Sequence, residues 1–151
     1  MKKILKFIVV LIPWFLSAII FKTDKTFYKN IEKPFFAPSP IIFPIVWTIL
    51  YVLLAISIYL IYKDNKISET KSYNKYLIIN YISNQAFQFL FFTIKSPFLA
   101  LIDTIIVLIS SLYLYYESKK LNKNSSKLII PSIIWNGFAS ILILFIFFMN
   151  L

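Results

Sequence analysis

Cysteine, histidine and arginine are absent from this chain of 151 residues, and glycine occurs once, at Gly137. Without cysteine there is no disulfide framework and no thiolate chemistry. Without cysteine or histidine the usual ligands of zinc, haem iron and iron–sulfur clusters are missing, so no metal site is expected. A single glycine rules out a GxxxG helix-pairing motif. Negative charge is scarce: six acids stand against 16 lysines, a formal net charge of +10. The lysines fall in loops between apolar runs. Lipid headgroups and membrane topology account for that placement, so no nucleic-acid partner is expected.

What the chain has in excess is apolar surface: 60% hydrophobic and 19% aromatic residues, with a mean hydropathy of +0.78. A soluble domain of this size has too little interior to hide so much of it. A bilayer removes the difficulty, because residues facing lipid can be apolar too. Five apolar runs, 4–21, 41–62, 73–93, 97–116 and 128–149, are each long enough to span. The expectation is an all-α integral membrane protein, a five-transmembrane-helix bundle forming one domain over residues 1–151. The first run follows Lys2 and Lys3 and resembles a signal peptide, but it is long for one and no A-x-A cleavage site follows. It reads as the first helix.

Lysine counts in short loops set the orientation. The N-terminus and loops 63–75 and 117–127 carry eleven lysines, against five in loop 22–40 and at Lys95. This predicts a cytoplasmic N-terminus, and five helical spans point to the cell membrane rather than an outer membrane of β-barrels. Loop 22–40 is the longest connection and combines Phe27, Tyr28, Phe35 and Phe36 with Pro34, Pro38 and Pro40. Such a stiff aromatic segment suits either a lid over the bundle or a connector in the interfacial aromatic belt.

Polar groups inside hydrocarbon are costly and therefore informative. Asn80, Asn84 and Gln88 recur every fourth residue, which puts three amides on one helical face beside Tyr81 and Phe87. They suit a ligand, or hydrogen bonds that tie helices together. Asp103 is the only acid inside an expected span. One acid without a base is not a catalytic pair, so a structural hydrogen bond to a neighbouring helix is its expected role. Trp47 and Tyr51 follow Phe43 on the second run, and Trp135, Ala139 and Leu142 share a face of the fifth beside Phe138. Depth counting at 1.5 Å per residue allows Trp47, Asn84, Gln88, Trp135 and Ala139 to line one pocket, with Trp135 as its floor and loop 22–40 above.

Several of these stretches together resemble one family. Phe27-Tyr28, followed by Glu32-Lys33-Pro34-Phe35-Phe36-Ala37-Pro38, is similar to a WY…KPxxxPP loop. Phe43-Pro44-Ile45-Val46-Trp47-Thr48-Ile49-Leu50-Tyr51 resembles FxPVWTxLY. Asn80 to Phe87 matches a polar third-helix motif, Pro97-Phe98-Leu99-Ala100 with Asp103 the start of a fourth helix, and Pro131 to Leu142 a PxxxWxxFAxxL pattern. In this order they resemble the TspO/MBR family, the translocator proteins also called peripheral-type benzodiazepine receptors, over nearly the whole chain.

The resemblance implies a bacterial-type member, a five-helix bundle that is often a homodimer. It implies binding of porphyrins such as protoporphyrin IX, and of isoquinoline and benzodiazepine ligands, with no required cofactor. It also implies possible tryptophan-dependent breakdown of porphyrin in light, through Trp47 and Trp135. The alternative it leaves open is a translocator of tetrapyrroles or other lipophilic molecules. Carried over by position, Tyr28, Pro38, Trp47, Asn84, Phe87, Gln88, Trp135, Ala139 and Leu142 would line the site, with Ala18, Phe43 and Thr104 as further candidates. Lysines of the outer loop would pair with porphyrin carboxylates. Phe27 stands where the motif has tryptophan, and Ser39 interrupts its proline pair. The end of the fifth run lacks the tyrosine and basic residue of a sterol-recognition motif.

Overall fold

A computed structural model describes residues 2–151. All regular structure among them is helical. Helix α1 (Lys2–Leu11) passes through a 3₁₀ turn (Ile12–Phe15) into α2 (Leu16–Ile20). A short α3 (Lys25–Asn30) sits in the long loop, followed by α4 (Ile42–Asp64). Helix α5 (Lys71–Gln88) runs on into a π-helical turn (Phe89–Thr93), and α6 (Pro97–Leu121) and α7 (Lys123–Met149) complete the chain.

Among the described residues three helices, α4, α6 and α7, are long and apolar enough to cross a membrane. The first and third apolar runs are also helical but interrupted, the first by its 3₁₀ turn and the third by its π-helical turn. Large apolar side chains such as Ile19, Ile45, Ile78, Ile134 and Phe148 are exposed. Lipid is the solvent in which that surface is stable.

Local chemistry explains the ends. Ser96 accepts a hydrogen bond from the Leu99 amide, with Pro97 in the first helical position, so α6 starts where a cap and a preset φ coincide. A single residue, Asn122, separates α6 from α7 and accepts from the amides of Asn124 and Ser125. So short a link makes the two helices antiparallel neighbours. Where α4 meets α7, the small side chains of Ser57 and Ser125 bond across at 2.7 Å, letting the backbones approach.

The break in the first rod is closed by α5. Pro13 has no N–H to give, and the 3₁₀ turn leaves backbone groups without helical partners. Gln85 supplies both kinds of partner: its Nε2 donates to the Trp14 carbonyl at 3.1 Å, and its Oε1 accepts from the Ser17 amide at 2.8 Å. One turn earlier, Tyr81 donates its hydroxyl to the Pro13 carbonyl at 3.0 Å.

Two apolar cores result. One gathers Trp14, Tyr51, Leu54, Ile58, Ile61, Tyr73, Leu114 and Ile129. The other gathers Tyr28, Ile31, Phe91, Ala100, Leu142, Ile143 and Ile146. Tyr28 and Ile31 tie the α3 loop into this second core, so the loop packs on the bundle rather than projecting from it.

Candidate ligand-binding cavity

Members of both cores border a cavity of about 280 Å³. Its walls are mainly ring faces: Phe43, Trp47 and Tyr51 from α4, Phe87 from α5, Phe91 and Phe92 from the π-helical turn, and Tyr28 from α3. Phe15 and Ala18 enter from the first rod, and Leu142, Ile143 and Ile146 from α7. A smaller pouch of about 40 Å³ adjoins it, lined by Asp103, Thr104 and Val107 of α6 and Trp135, Asn136 and Ala139 of α7. Phe43, Trp47, Asn84, Phe87, Leu142 and Ile143 line both spaces.

The residues singled out in the sequence distribute as follows. Ala18, Tyr28 and Gln88 line the larger cavity; Thr104, Trp135 and Ala139 line the pouch; Phe43, Trp47, Asn84, Phe87 and Leu142 line both. Pro38 lines neither. Its carbonyl accepts the Tyr28 hydroxyl at 3.3 Å, so it acts on the site through Tyr28. Burial pushes the Tyr28 phenol above its ordinary pKa, which keeps it a neutral donor. Loop 22–40 contributes Thr23, Lys25, Tyr28 and Pro40 directly to the wall.

The three amides on α5 have three different jobs. Asn80 Nδ2 reaches α6, lying 2.8 Å from Ser111 Oγ, 2.9 Å from Ser110 Oγ and 3.2 Å from the Val107 carbonyl. Asn136 of α7 donates to the same Ser111 hydroxyl at 2.9 Å, so one buried network joins α5, α6 and α7. Asn84 Nδ2 donates to Asn80, and its own oxygen has no partner among the described residues. Gln88 Nε2 donates to Thr23 Oγ1 at 2.6 Å and to the Phe21 carbonyl at 3.3 Å, fastening the start of the loop. Asp103 is 4% exposed; its carboxyl lies within hydrogen-bonding reach of Ser83 on α5, and its Oδ2 has no partner among the described residues. Trp135 Nε1 is likewise buried and unpaired.

The ring walls hold together by edge, tilted and stacked contacts. Trp47 and Tyr51 lie 5.4 Å apart at 36°, and Tyr51 is 5.4 Å from Trp14. Phe43 meets Trp135 at 6.1 Å and Tyr28 at 5.7 Å. Phe87 stacks on Phe91 at 5.5 Å and 15°.

Not every outer-loop lysine remains free. Lys33 Nζ donates to the Tyr28 and Ile31 carbonyls at 2.6 and 2.8 Å and sits 4.9 Å over the Tyr28 ring. Lys95 pairs with Asp24 at 2.8 Å. The lysine that lines the cavity, Lys25, has no ion pair or hydrogen bond among the described residues. Sequence reasoning did not single out Lys25, Thr23, Phe91 or Phe92 for the wall. Phe91 and Phe92 turn inward through the π-helical turn, which periodicity does not reveal.

Apolar helices around an aromatic cavity define a multi-pass integral membrane protein with an internal, mainly apolar chamber. The chain belongs to the TspO/MBR family, whose sequence profile matches residues 6–149. It is similar to the tryptophan-rich protein TspO of Bacillus cereus, 36% identical over 129 residues, covering 85% of this chain and 84% of that one. It is 34% identical to the uncharacterized membrane protein YtaB of Bacillus subtilis, covering 87% and 85%. It is 30% identical to the tryptophan-rich protein TspO of Archaeoglobus fulgidus, covering 83% and 81%.

Proposed function

We propose that the protein is a membrane receptor or sensor that holds a metal-free porphyrin of the protoporphyrin IX type inside the bundle. The observation that carries this is the cavity itself: about 280 Å³, lined by many aromatic rings and by Lys25, whose ammonium has no ion pair or hydrogen bond among the described residues. Ring faces stack on an aromatic plate, and an ammonium pairs with a carboxylate. The chain has no histidine or cysteine to ligate iron, which favours the metal-free ligand over haem. Isoquinoline and benzodiazepine compounds, smaller ligands that also carry aromatic rings, suit the same walls.

On this reading α1–α2 and α5 with its π-helical turn also cross the bilayer, giving five spans. The eleven-to-five lysine asymmetry favours a cytoplasmic N-terminus, and five helical spans favour the cell membrane over an outer membrane of β-barrels. A homodimer is the assembly the family suggests.

Titration of purified protein with protoporphyrin IX, followed by the shift of the porphyrin absorption band, tests the reading. Saturable binding is expected, weakened about tenfold in a Trp47→Phe, Trp135→Phe variant. Binding that is unchanged in the variant removes the cavity from the account. Illumination of the complex decides whether the two tryptophans also promote porphyrin loss, and flux into liposomes decides between receptor and translocator.

A further inference from the structure

The end of the bundle opposite loop 22–40 is strongly basic. Loops 63–75 and 117–127 carry eight lysines against Asp64, Glu69 and Glu117. Among the described residues only Lys120 of these lysines has an ion pair, with Glu117 at 2.7 Å. Unpaired charge at the edge of a bilayer attracts charge of the other sign.

On the outer surface between α5 and α6 the exposed residues are ordered by chemistry. Along α6, Ile102, Ile106, Ile109, Tyr113, Tyr116 and Lys120 recur at alternating intervals of four and three residues, which makes one continuous face. All six are exposed. Along α5, the exposed Lys75, Ile79 and Ile82 follow the same spacing. Tyr76 of α5 stacks on Tyr113 of α6, 4.7 Å apart at 7°, and joins the two edges. From the basic end toward the midplane the surface therefore reads ammonium, phenol, branched hydrocarbon. Tyr113 to Ile102 covers roughly 16 Å of helix, about half of a core about 30 Å thick.

That order is the complement of a phospholipid: phosphate, glycerol esters, acyl chain. The hydroxyls of Tyr76, Tyr113 and Tyr116 make no hydrogen bond among the described residues, whereas those of Tyr28, Tyr62 and Tyr81 do. The charge selects the headgroup. A choline or ethanolamine would need a free acid or an open ring cage. Glu117 is taken by Lys120, and the Tyr76 ring is covered by Tyr113 and by Lys75, whose Nζ stands 5.6 Å from its centroid.

We infer that the groove between α5 and α6 is a binding site for an anionic phospholipid. Its phosphate pairs with Lys75, Lys120 and Lys71, which lies one turn before Lys75. The tyrosine hydroxyls donate to the phosphate and the esters, and an acyl chain lies along the isoleucines. The lysine asymmetry favours the cytoplasmic leaflet for this end. The site is separate from the cavity and independent of what the cavity holds.

Native mass spectrometry of the full chain in detergent micelles tests it, with equimolar palmitoyl-oleoyl phosphatidylglycerol and phosphatidylcholine as probes. The first lipid retained should be phosphatidylglycerol, by about tenfold. A Lys71→Gln, Lys75→Gln variant should lose at least about fivefold of that preference. A Lys63→Gln, Lys127→Gln variant removes the same charge from α4 and α7 at the same end and should keep it. The wild-type ranking carries the test even where a variant fails to fold. Equal retention of the two lipids overturns the site. Equal losses in the two variants also overturn it, since bulk charge alone would then attract the lipid. Displacement of phosphatidylglycerol by an equal concentration of inorganic phosphate overturns the assignment to a lipid.

Discussion

Asn84 lies one turn beyond Asn80 and directs its amide nitrogen back at it, to the carbonyl at 2.9 Å and to Oδ1 at 3.0 Å. The pair is a hinge between structure and site. Asn80 faces α6 and is buried in the serine network, and Asn84 presents its remaining oxygen beside the cavity. Replacing Asn80 with leucine removes its contacts to Ser110, Ser111 and the Val107 carbonyl and one of the two acceptors of Asn84 Nδ2, while the backbone carbonyl of residue 80 and the Asn136–Ser111 bond remain. A loss of about 1–3 kcal/mol is expected, read as a lower unfolding midpoint in denaturing detergent. Asn136→Leu, which breaks one bond, should cost less. An unshifted midpoint in Asn80→Leu would take the network out of bundle stability.

Lys25 is the cavity-lining cation, while Lys33 and Lys95 are occupied elsewhere. Lys25→Gln should therefore weaken protoporphyrin IX about two- to fivefold, the range for an exposed ion pair. It should leave the dimethyl ester of the same porphyrin unaffected. The check is a pair of titrations at low and high salt, in which the wild-type advantage for the diacid shrinks as salt rises. Equal weakening of acid and ester would mean that Lys25 acts by packing.

Gln85 touches neither the cavity nor the pouch, yet it satisfies two backbone groups at the break in the first rod. Gln85→Leu fits the apolar setting but leaves the Ser17 amide and the Trp14 carbonyl unpaired. It should lower stability by about 1–3 kcal/mol, with Gln85→Glu costing less because it still accepts from Ser17. Thermal melts in detergent rank the three proteins. Leucine behaving as wild type would show that water or relaxation replaces the amide.

The loop has an acid-sensitive tie. A hydrogen bond from Lys95 and another from the Phe27 amide hold the Asp24 carboxyl below its ordinary value of 3.8. A folded-state pKa below the unfolded one contributes stability above the unfolded value and loses it as pH falls through the folded value. The tie should hold at neutral pH and weaken once pH drops below about 4. Asp24→Asn should lack that increment, so wild-type and variant melting curves should differ near neutrality and converge in acid. A constant gap across the range would exclude the titration of Asp24.

Much of the cavity was legible because its residues belong to patterns that periodicity makes visible. Asn84 and Gln88 share a face, Trp47 follows Phe43 by one turn, and Trp135, Ala139 and Leu142 recur along α7. Eleven of the twelve expected positions border the cavity or the pouch, and Pro38 instead accepts from Tyr28. The helical class was legible from apolar length alone. The partition within it was not: Pro13 converts one run into α1, a 3₁₀ turn and α2, and a π-helical turn rotates Phe91 and Phe92 inward. The unpaired Oδ2 of Asp103 was also hidden, since the sequence shows only that the acid lies within a span.

The repair of the first rod bears on how the protein is made. The carbonyl of Trp14 meets its partner 71 residues downstream in the chain. Lipid cannot hydrogen-bond an open peptide group, so the leading segment is an incomplete guest in the bilayer until α5 has been translated. Biogenesis should therefore run out of register with synthesis. The first rod to leave the ribosome would be among the last to settle, held at the interface or by the insertion machinery until Tyr81 and Gln85 arrive.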